Sequence, residues 1–160
     1  MRRNDREITD PGRIREILEK SVIIHLGLMD GTYPYVLPLH YGFEFSGGKL
    51  VFYMHGAREG YKLDLIRQNP HAGFAVDCEV EQISGNGDPC MYSSYFASVM
   101  GKGRVSVVED IDEKIHGLQV LMETQTKKTF AFDERMANAV CVIKLTCDSF
   151  SAKSRAKMPQ

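Results

Sequence analysis

Three β-prone runs near the start of the chain follow one another with only short turns between them. They span residues 22–29, 35–45 and 49–55. Asp30-Gly31 and Ser46-Gly47-Gly48 separate them, and glycine readily adopts the positive φ angles that tight turns need. Connections this short join neighbouring antiparallel strands, because parallel strands require a long crossover. The chain is therefore predicted to begin with an antiparallel meander.

The remaining elements are predicted from helix caps and periodicity. Asp10-Pro11 combines a side-chain cap with a proline at the first helical position, which predicts a helix ending near residue 21. Asp110 begins a capping-box pattern before an amphipathic helix that ends near residue 124. The other predicted elements are a helix over 61–68 and strands over 71–80, 91–108 and 139–146.

Most of these strands are joined by turns and not by crossover helices. About six strands and three helices in one domain indicate an α+β protein, dominated by an antiparallel barrel or sandwich. The run 91–108 is expected to bend at Gly101-Lys102-Gly103. Pro38 has no N–H, so its strand is expected to have an edge, a bulge or a ligand at that point.

Length and composition agree with a single domain and exclude some functions. A chain of 160 residues is predicted to form one domain over 1–150, followed by a basic tail over 151–160 with Lys153, Arg155 and Lys157. The net charge of −1 argues against a dedicated nucleic-acid-binding protein. The four cysteines lack metal-ligand spacing, and no secretory signal or membrane span is evident. We therefore expect a cytoplasmic protein without a metal site.

The segment 55–66 contains the most specific chemical signal in the sequence. A strand there leads into a loop flanked by Gly56 and Gly60 and then into a helix start. The first N–H groups of a helix lack partners within the helix and favour anions, phosphate above all. Arg58 and Lys62 would add positive charge. The same pattern also fits an ordinary strand-to-helix connection with solvated charges, and the residues alone favour neither interpretation.

Two histidines near this loop are possible proton carriers. His40 lies within one predicted strand and His55 ends the next, and an unperturbed imidazole titrates near neutral pH. No metalloprotease spacing and no serine-nucleophile elbow occurs in the sequence. A hydroxyl-rich cluster at 92–95 is consistent with a polar strand face or with ligand contacts.

Residues 35–44 and 48–66, followed by Asn69-Pro70, resemble the FMN-binding split-barrel proteins. The similarity is closest to the nitroimidazole-resistance-like branch of the pyridoxamine 5′-phosphate oxidase-related family, and it covers nearly the whole chain. It implies a six-stranded antiparallel split barrel with flanking helices. It also implies a homodimer with one FMN at each of two subunit interfaces. The chain lacks the longer basic C-terminal region of the pyridoxamine-phosphate oxidases themselves, so pyridoxine phosphate is not the expected substrate.

The resemblance also implies cofactor contacts. The strand backbone at 36–39 would lie along the flavin ring, with N–H groups near 37–39 bonded to its edge. The loop and the helix start would bind the phosphate, and the partner subunit would add contacts from the long strand. The cofactor-binding residues are thus Val36, Leu37, Pro38, Leu39, His55, Gly56, Ala57, Arg58, Lys62, Ser94 and Tyr95, and the proposed catalytic residues are His40 and His55.

An FMN-dependent oxidoreductase is the function that this resemblance implies. Electrons would pass from a nicotinamide donor to a small substrate, for which a nitroaromatic is the class implied by the named branch. The main alternative is a non-catalytic flavin- or haem-binding carrier or sensor. An oligonucleotide-binding barrel is a third class, which the charge balance and the lack of a basic aromatic face disfavour.

Overall fold

The computed structural model describes residues 4–156. Seven strands and four α-helices follow one another within this range, together with short 3₁₀ turns at Asn4–Arg6 and Pro89–Met91. The strands are β1 (Glu7–Ile8), β2 (Ile23–Asp30), β3 (Tyr33–Ser46), β4 (Lys49–Gly56), β5 (His71–Ile83), β6 (Ser93–Val107) and β7 (Cys141–Arg155). The helices are α1 (Pro11–Lys20), α2 (Tyr61–Gln68), α3 (Ile111–Thr126) and α4 (Glu134–Asn138).

Six of the strands form a closed antiparallel ring. Their order is β7-β4-β3-β2-β5-β6, and pairing between β6 and β7 closes the ring. The two-residue β1 pairs with the far end of β7. Closure gives most backbone groups of the sheet a partner and leaves few free edges. The predicted six-stranded antiparallel barrel with flanking helices is therefore confirmed.

The two long strands β3 and β7 each change neighbour part-way along. Residues 33–40 of β3 pair with β2, whereas residues 41–46 pair with β4. In the same way, residues 141–146 of β7 pair with β4 and residues 152–153 pair with β1. On the β4 side, the first half of β3 consequently has no strand partner. This opening in the barrel wall is called the split below.

The barrel interior is filled by alternate side chains of the strands. Leu26, Phe52 and Val99 are fully buried there, and Phe52 meets Phe74 edge-on at a centroid distance of 4.9 Å. Each such side chain removed from water contributes roughly 1.5–3 kcal/mol before conformational entropy is subtracted. The buried stripe of α1 packs against the same core. The barrel is thus a packed scaffold, and any ligand must bind on its outside or at the split.

Helix α3 packs on the outside of the barrel through two close approaches. A Cβ on Gly42 of β3 would lie 2.4 Å from the Cα of Leu121, so a side chain is excluded there. On the helix itself, a Cβ on Gly117 would lie 2.7 Å from the ring of Tyr53. Glycine at both positions lets the helix lie directly on the sheet. The helix covers the edge of β3 opposite to the split.

Ion pairs tie α1 to an irregular point of β5. The register of β5 against β6 shifts between Cys78 and Glu81, and Glu79 there has a φ of 56°. The Glu79 carboxylate accepts hydrogen bonds from Arg13 (2.6 Å) and Lys20 (2.7 Å) of α1. These two cations lower the pKa of Glu79 to about 2. The bulge is therefore held by charge pairing as well as by the sheet.

The predicted helix starts are confirmed, and two strand features differ from expectation. Asp10 and Asp110 cap α1 and α3 as predicted, and the β6–β7 register shifts between Lys102 and Gly103, at the predicted bend. The last strand does not end near residue 146 but continues to Arg155, because residues 147–155 keep pairing with β6. Lys153 and Arg155 therefore belong to β7 and not to a tail, while Lys157 lies outside the described residues. Strand β1 and helix α4 were not predicted.

Candidate functional site

The split brings the predicted cofactor segments to opposite sides of one opening. Tyr41 of β3 and Met54 of β4 form the last β3–β4 pair. Beyond it, β4 continues for two residues with β7 as its partner, while β3 continues with β2. His40 and His55 are therefore the first residues on either side of the opening. The loop 57–60 and helix α2 follow directly from the β4 side.

The backbone of β3 presents polar groups to this opening. The N–H of Phe43 donates to Thr124 Oγ1 (3.3 Å), and the carbonyl of Tyr41 accepts from Gln125 Nε2 (2.7 Å). The backbone N–H and C=O groups of odd-numbered residues of β3 therefore point away from the split. Because these groups alternate along a strand, those of even-numbered residues point toward the split. Pro38 is even-numbered, and its missing N–H consequently costs the β2–β3 ladder nothing. The sequence-based expectation of an edge at this residue is correct.

This alternation corrects one detail of the predicted contacts. N–H groups near residues 37–39 were expected to face the flavin ring, but those of Leu37 and Leu39 point toward β2. The N–H groups of Val36 and His40, with the carbonyls of Val36 and Pro38, face the split instead. Side chains alternate as well: Val36, Pro38 and His40 are exposed on the outer face, whereas Leu37 and Leu39 are half-buried against the core.

Lys62 folds back over the end of β4. A Cβ built on Gly56 would lie 2.8 Å from Lys62 Cε and 2.9 Å from Lys62 Nζ. The ammonium group can occupy this position only because residue 56 has no side chain. Lys62 forms no ion pair with any residue in the range 4–156. A positive charge without a counter-charge is thus fixed at the start of α2.

The N-terminus of α2 has free hydrogen-bond donors beside this lysine. Asp10, Asp110 and Asp133 each accept a backbone N–H at the start of α1, α3 and α4. Among the helices of residues 4–156, α2 alone begins without such a side chain, because its cap is Gly60. Gly60 has a φ of 131°, which side-chain-bearing residues rarely adopt. Unpaired N–H groups, the positive end of the helix dipole and Lys62 together suit a phosphate.

Two tyrosines connect the helix start with the β3 side of the split. The rings of Tyr35 and Tyr61 meet edge-on with centroids 5.5 Å apart. A hydrogen bond to Asp30 raises the pKa of the Tyr61 phenol above its usual value. Tyr61 is still half-exposed. These rings form an aromatic surface next to the Lys62 position, which suits a planar ligand. Tyr61 begins the helix predicted over 61–68, but it is not one of the site residues predicted from the sequence.

The comparison with family models matches residues 10–154 to the family described as pyridoxamine 5′-phosphate oxidase. The chain belongs to the pyridoxamine 5′-phosphate oxidase family. The match spans the barrel from the start of α1 into the last strand. The resemblance inferred from residues 35–44 and 48–66 is therefore confirmed. No curated protein matches the chain significantly.

Solved structures of the same fold include flavin and haem proteins. A candidate 5-nitroimidazole antibiotic resistance protein from Bacteroides thetaiotaomicron is 27% identical, with a TM-score of 0.77 over 92% of this chain and 86% of that one. The flavocytochrome Anf3 from Azotobacter vinelandii is 20% identical, with a TM-score of 0.77 over 100% and 74%. An FAD- and haem-binding protein from Mycobacterium smegmatis is 19% identical, with a TM-score of 0.76 over 97% and 76%.

Other predicted site residues of this family member lie in different surroundings. Ser94 and Tyr95 pair with the end of β5, and both β2 and β5 separate β6 from β3 in the sheet. Within one chain they therefore do not line the split. Ala57 is exposed in the loop. Arg58 lines a small cavity with Arg67 and Lys114, next to the start of β7.

Two further surface features bear on ligand access. A cavity of about 590 Å³ lies between α1, the second half of β3 and α3, but it contains none of the predicted cofactor residues. Residues 4–156 contain no helix with both the length and the apolar character needed to cross a membrane. The split therefore remains the place where the sequence signals and the geometry coincide.

Proposed function

We propose that this protein is an FMN-dependent oxidoreductase that acts as a cytoplasmic homodimer. The observation that carries the proposal is the Lys62 ammonium group, held over Gly56 beside the uncapped start of α2 and the open edge of β3. A flavin mononucleotide has the matching shape, with a phosphate at one end and a planar ring at the other. The chemistry that FMN supplies is electron transfer from a nicotinamide donor to a second substrate.

The chain's own residues would hold the cofactor in two parts. Lys62 and the first N–H groups of α2 would bind the phosphate, with His55, Gly56 and Ala57 around it. Arg58, predicted with them, has its side chain at a neighbouring cavity instead. The strand edge at 36–39 would lie along the ring, where the N–H groups of Val36 and His40 donate to its acceptor atoms. Fixed donors of this kind favour negative charge on the ring edge. His40 and His55 would carry protons between solvent and the reacting groups.

The outer face next to the split supports a second copy of this chain as partner. Gly27 lies between Val36 and Gly73 across the sheet, so no side chain projects from the middle of this row. Val36 is 59% exposed and Met29 is 43% exposed on the same side. A flat, partly apolar sheet face of this kind fits a self-complementary interface. A partner docked there would bring its own Ser94 and Tyr95 to the cofactor.

The substrate class is proposed from the relative that is 27% identical. Its description names 5-nitroimidazole resistance, and nitro groups are two-electron acceptors. A small nitroaromatic is therefore the substrate that we propose. The aromatic surface of Tyr35 and Tyr61 and the exposed strand edge offer contacts to flat molecules.

Haem binding is a second candidate, which one feature of the outer face favours. His25 of β2 pairs with Pro38, two residues before His40, and both imidazoles are exposed on the same face. Histidine is a common axial ligand of haem iron. Two structural relatives are described as a flavocytochrome and an FAD- and haem-binding protein. This candidate corresponds to a carrier or sensor without turnover.

The test is an absorbance spectrum of the purified full-length protein, followed by denaturation and identification of the released ligand. We expect a flavin spectrum, about one FMN per chain, and a dimer in sedimentation equilibrium. NADH or NADPH should then be oxidised when a nitroimidazole is added. A Soret band without flavin would favour the haem candidate. A colourless protein that does not take up added FMN would contradict the proposal.

Replacing the proton carrier should slow turnover when kcat is measured at saturating FMN. For whichever of His40→Gln and His55→Gln removes the proton-transferring group, we expect kcat to fall about 100-fold, the usual contribution of one general acid or base. His71→Gln is the control, because His71 is an exposed histidine on β5 bonded to Asn69. Unchanged kcat in both variants would remove the histidines from the mechanism.

A further inference from the structure

A small cavity of about 170 Å³ lies where the β4–α2 loop, the end of α2 and the start of α3 meet. Arg58 comes from the loop, Arg67 from the last turn of α2 and Lys114 from the first turns of α3. Glu109 and Cys141 complete the polar part of its wall. Each of these three elements thus contributes one positively charged side chain to the wall of the same cavity.

Within the described residues, the three cations of this cavity wall outnumber its acidic residues. Arg67 contacts Asp64 at 3.3 Å on an exposed surface, and such pairs contribute little. Neither Arg58 nor Lys114 forms an ion pair with any residue in the range 4–156. Glu109 is the one acidic residue of the wall. Cations gathered without enough acidic partners repel one another, so an anion bound between them would stabilise the cluster.

The buried thiol of Cys141 does not serve as that anion. Burial raises the pKa of this thiol, although Lys114 and Arg67 act in the opposite direction. The thiol is therefore neutral at physiological pH. The described residues do not supply the missing negative charge, and guanidinium groups with an ammonium group are the typical ligands of phosphate esters.

The position of the cavity connects it to the phosphate site of the proposed function. Cys141 is the β7 partner of Gly56, the residue over which Lys62 lies. Neighbouring strands are about 4.8 Å apart. One ligand, or two ligands bound next to each other, can therefore present one phosphate to Lys62 and another to the cavity.

We propose that this cavity binds a second phosphate ester, distinct from the phosphate at Lys62. Two sources fit this chemistry: the adenylate half of a flavin dinucleotide, and the 2′-phosphate of a phosphorylated nicotinamide donor. The inference rests on the proposed function for the neighbouring phosphate. The cavity therefore determines which flavin or which nicotinamide donor this protein prefers.

The test compares Lys114→Gln with Lys49→Gln in the full-length protein at one fixed ionic strength. Lys114 is half-buried in the cavity wall, whereas Lys49 is exposed at the opposite end of β4 from Gly56. Dissociation constants are measured for FMN and FAD by flavin fluorescence, and for 5′-AMP and 2′,5′-ADP by calorimetry. None of these readouts depends on turnover.

We expect Lys114→Gln to weaken the binding of FAD or of 2′,5′-ADP about 10-fold, the usual effect of removing one charged hydrogen bond. FMN should stay within about twofold of the wild type, as should all four ligands with Lys49→Gln. 5′-AMP carries the adenylate phosphate of FAD, so its binding should weaken together with that of FAD, and it should stay within about twofold if only 2′,5′-ADP responds. Weaker binding of FAD would identify a flavin dinucleotide as the source of the phosphate. Weaker binding of 2′,5′-ADP without a change for FAD would identify a phosphorylated nicotinamide donor.

Two outcomes would overturn the inference. In the first, Lys114→Gln changes the dissociation constant of neither FAD nor 2′,5′-ADP. In the second, Lys114→Gln weakens FMN binding as much as FAD binding. The second outcome would place Lys114 in the first phosphate site. If no flavin binds but 2′,5′-ADP still depends on Lys114, the proposed function fails while the cavity assignment stands. The two failures are therefore distinguishable.

Discussion

Lys62→Met is expected to raise the dissociation constant for FMN between about 10-fold and 100-fold. A hydrogen bond to a charged group contributes about 1.5–3 kcal/mol, and each 1.4 kcal/mol is tenfold in affinity. Lys62 forms no ion pair within the described residues, so its removal leaves no orphaned carboxylate. Fluorescence titration with FMN measures the change, and urea unfolding checks that stability is kept.

Gly56→Ala is the companion variant, because it moves the lysine without removing it. The new Cβ would lie 2.8 Å from Lys62 Cε, so the flexible end of that side chain must shift. We expect weaker FMN binding with nearly unchanged stability. Lys49→Met is the matched control at the other end of β4. If Lys62→Met binds FMN as tightly as the control does, the phosphate does not lie at the start of α2.

Both sequence signals of the proposed phosphate site, the glycine-flanked loop and Lys62, could be read from the sequence, but their spatial relation could not. The glycine-flanked loop and Lys62 were evident, and helix α2 was predicted with its observed bounds. The residues alone did not decide between a phosphate site and an ordinary connection. The structure adds two facts that bear on this choice. Lys62 folds back over Gly56, and α2 lacks the aspartate cap that the other described helices have.

The open edge of β3 shows a different limit of sequence reasoning. Pro38 predicted an irregularity, but one residue cannot say which neighbour a strand lacks. That depends on the change of partner at residue 40, which results from the closure of the whole ring. The direction of each N–H follows from the same pairing. For this reason the expected donors near residues 37–39 had to be replaced by those of Val36 and His40.

The end of the chain illustrates how sheet pairing overrides composition. Residues 151–155 contain charged and small side chains, which predict a tail, yet they pair with β6 along their whole length. Phe150 packs edge-on against Phe45, and Ala152 is buried, which anchors this extension. Long-range pairing of this kind leaves little local signal. Helix α4 has only five residues, too few for a periodic pattern.

Gly42→Ala is expected to lower the free energy of unfolding by about 3 kcal/mol or more, although it adds a single carbon atom. That Cβ would lie 2.4 Å from both the Cα and the N of Leu121, and backbone atoms cannot rotate away. Helix α3 would have to move outward, which opens space around Leu118 and weakens the bond between Phe43 N and Thr124. Overpacking of this kind typically costs about 1–3 kcal/mol, and more where backbone must move.

Gly73→Ala is the matched control for this variant. Gly73 also lies within a strand of the barrel, but its added Cβ would meet only Gly101 O at 3.8 Å, an ordinary contact. Gly73 lies on the outer face proposed above as the subunit interface, so sedimentation equilibrium must first show that the variant keeps the oligomeric state of the wild type. The same chemical change, with the same loss of backbone freedom in the unfolded chain, is therefore tested without a clash. Urea unfolding followed by circular dichroism should show little change for Gly73→Ala and a large loss for Gly42→Ala. Equal stability of the two variants would mean that α3 can move away from β3 at no cost. The fixed position of Lys114 on α3, and with it the shape of the cavity proposed to bind a second phosphate, would then lose its structural basis.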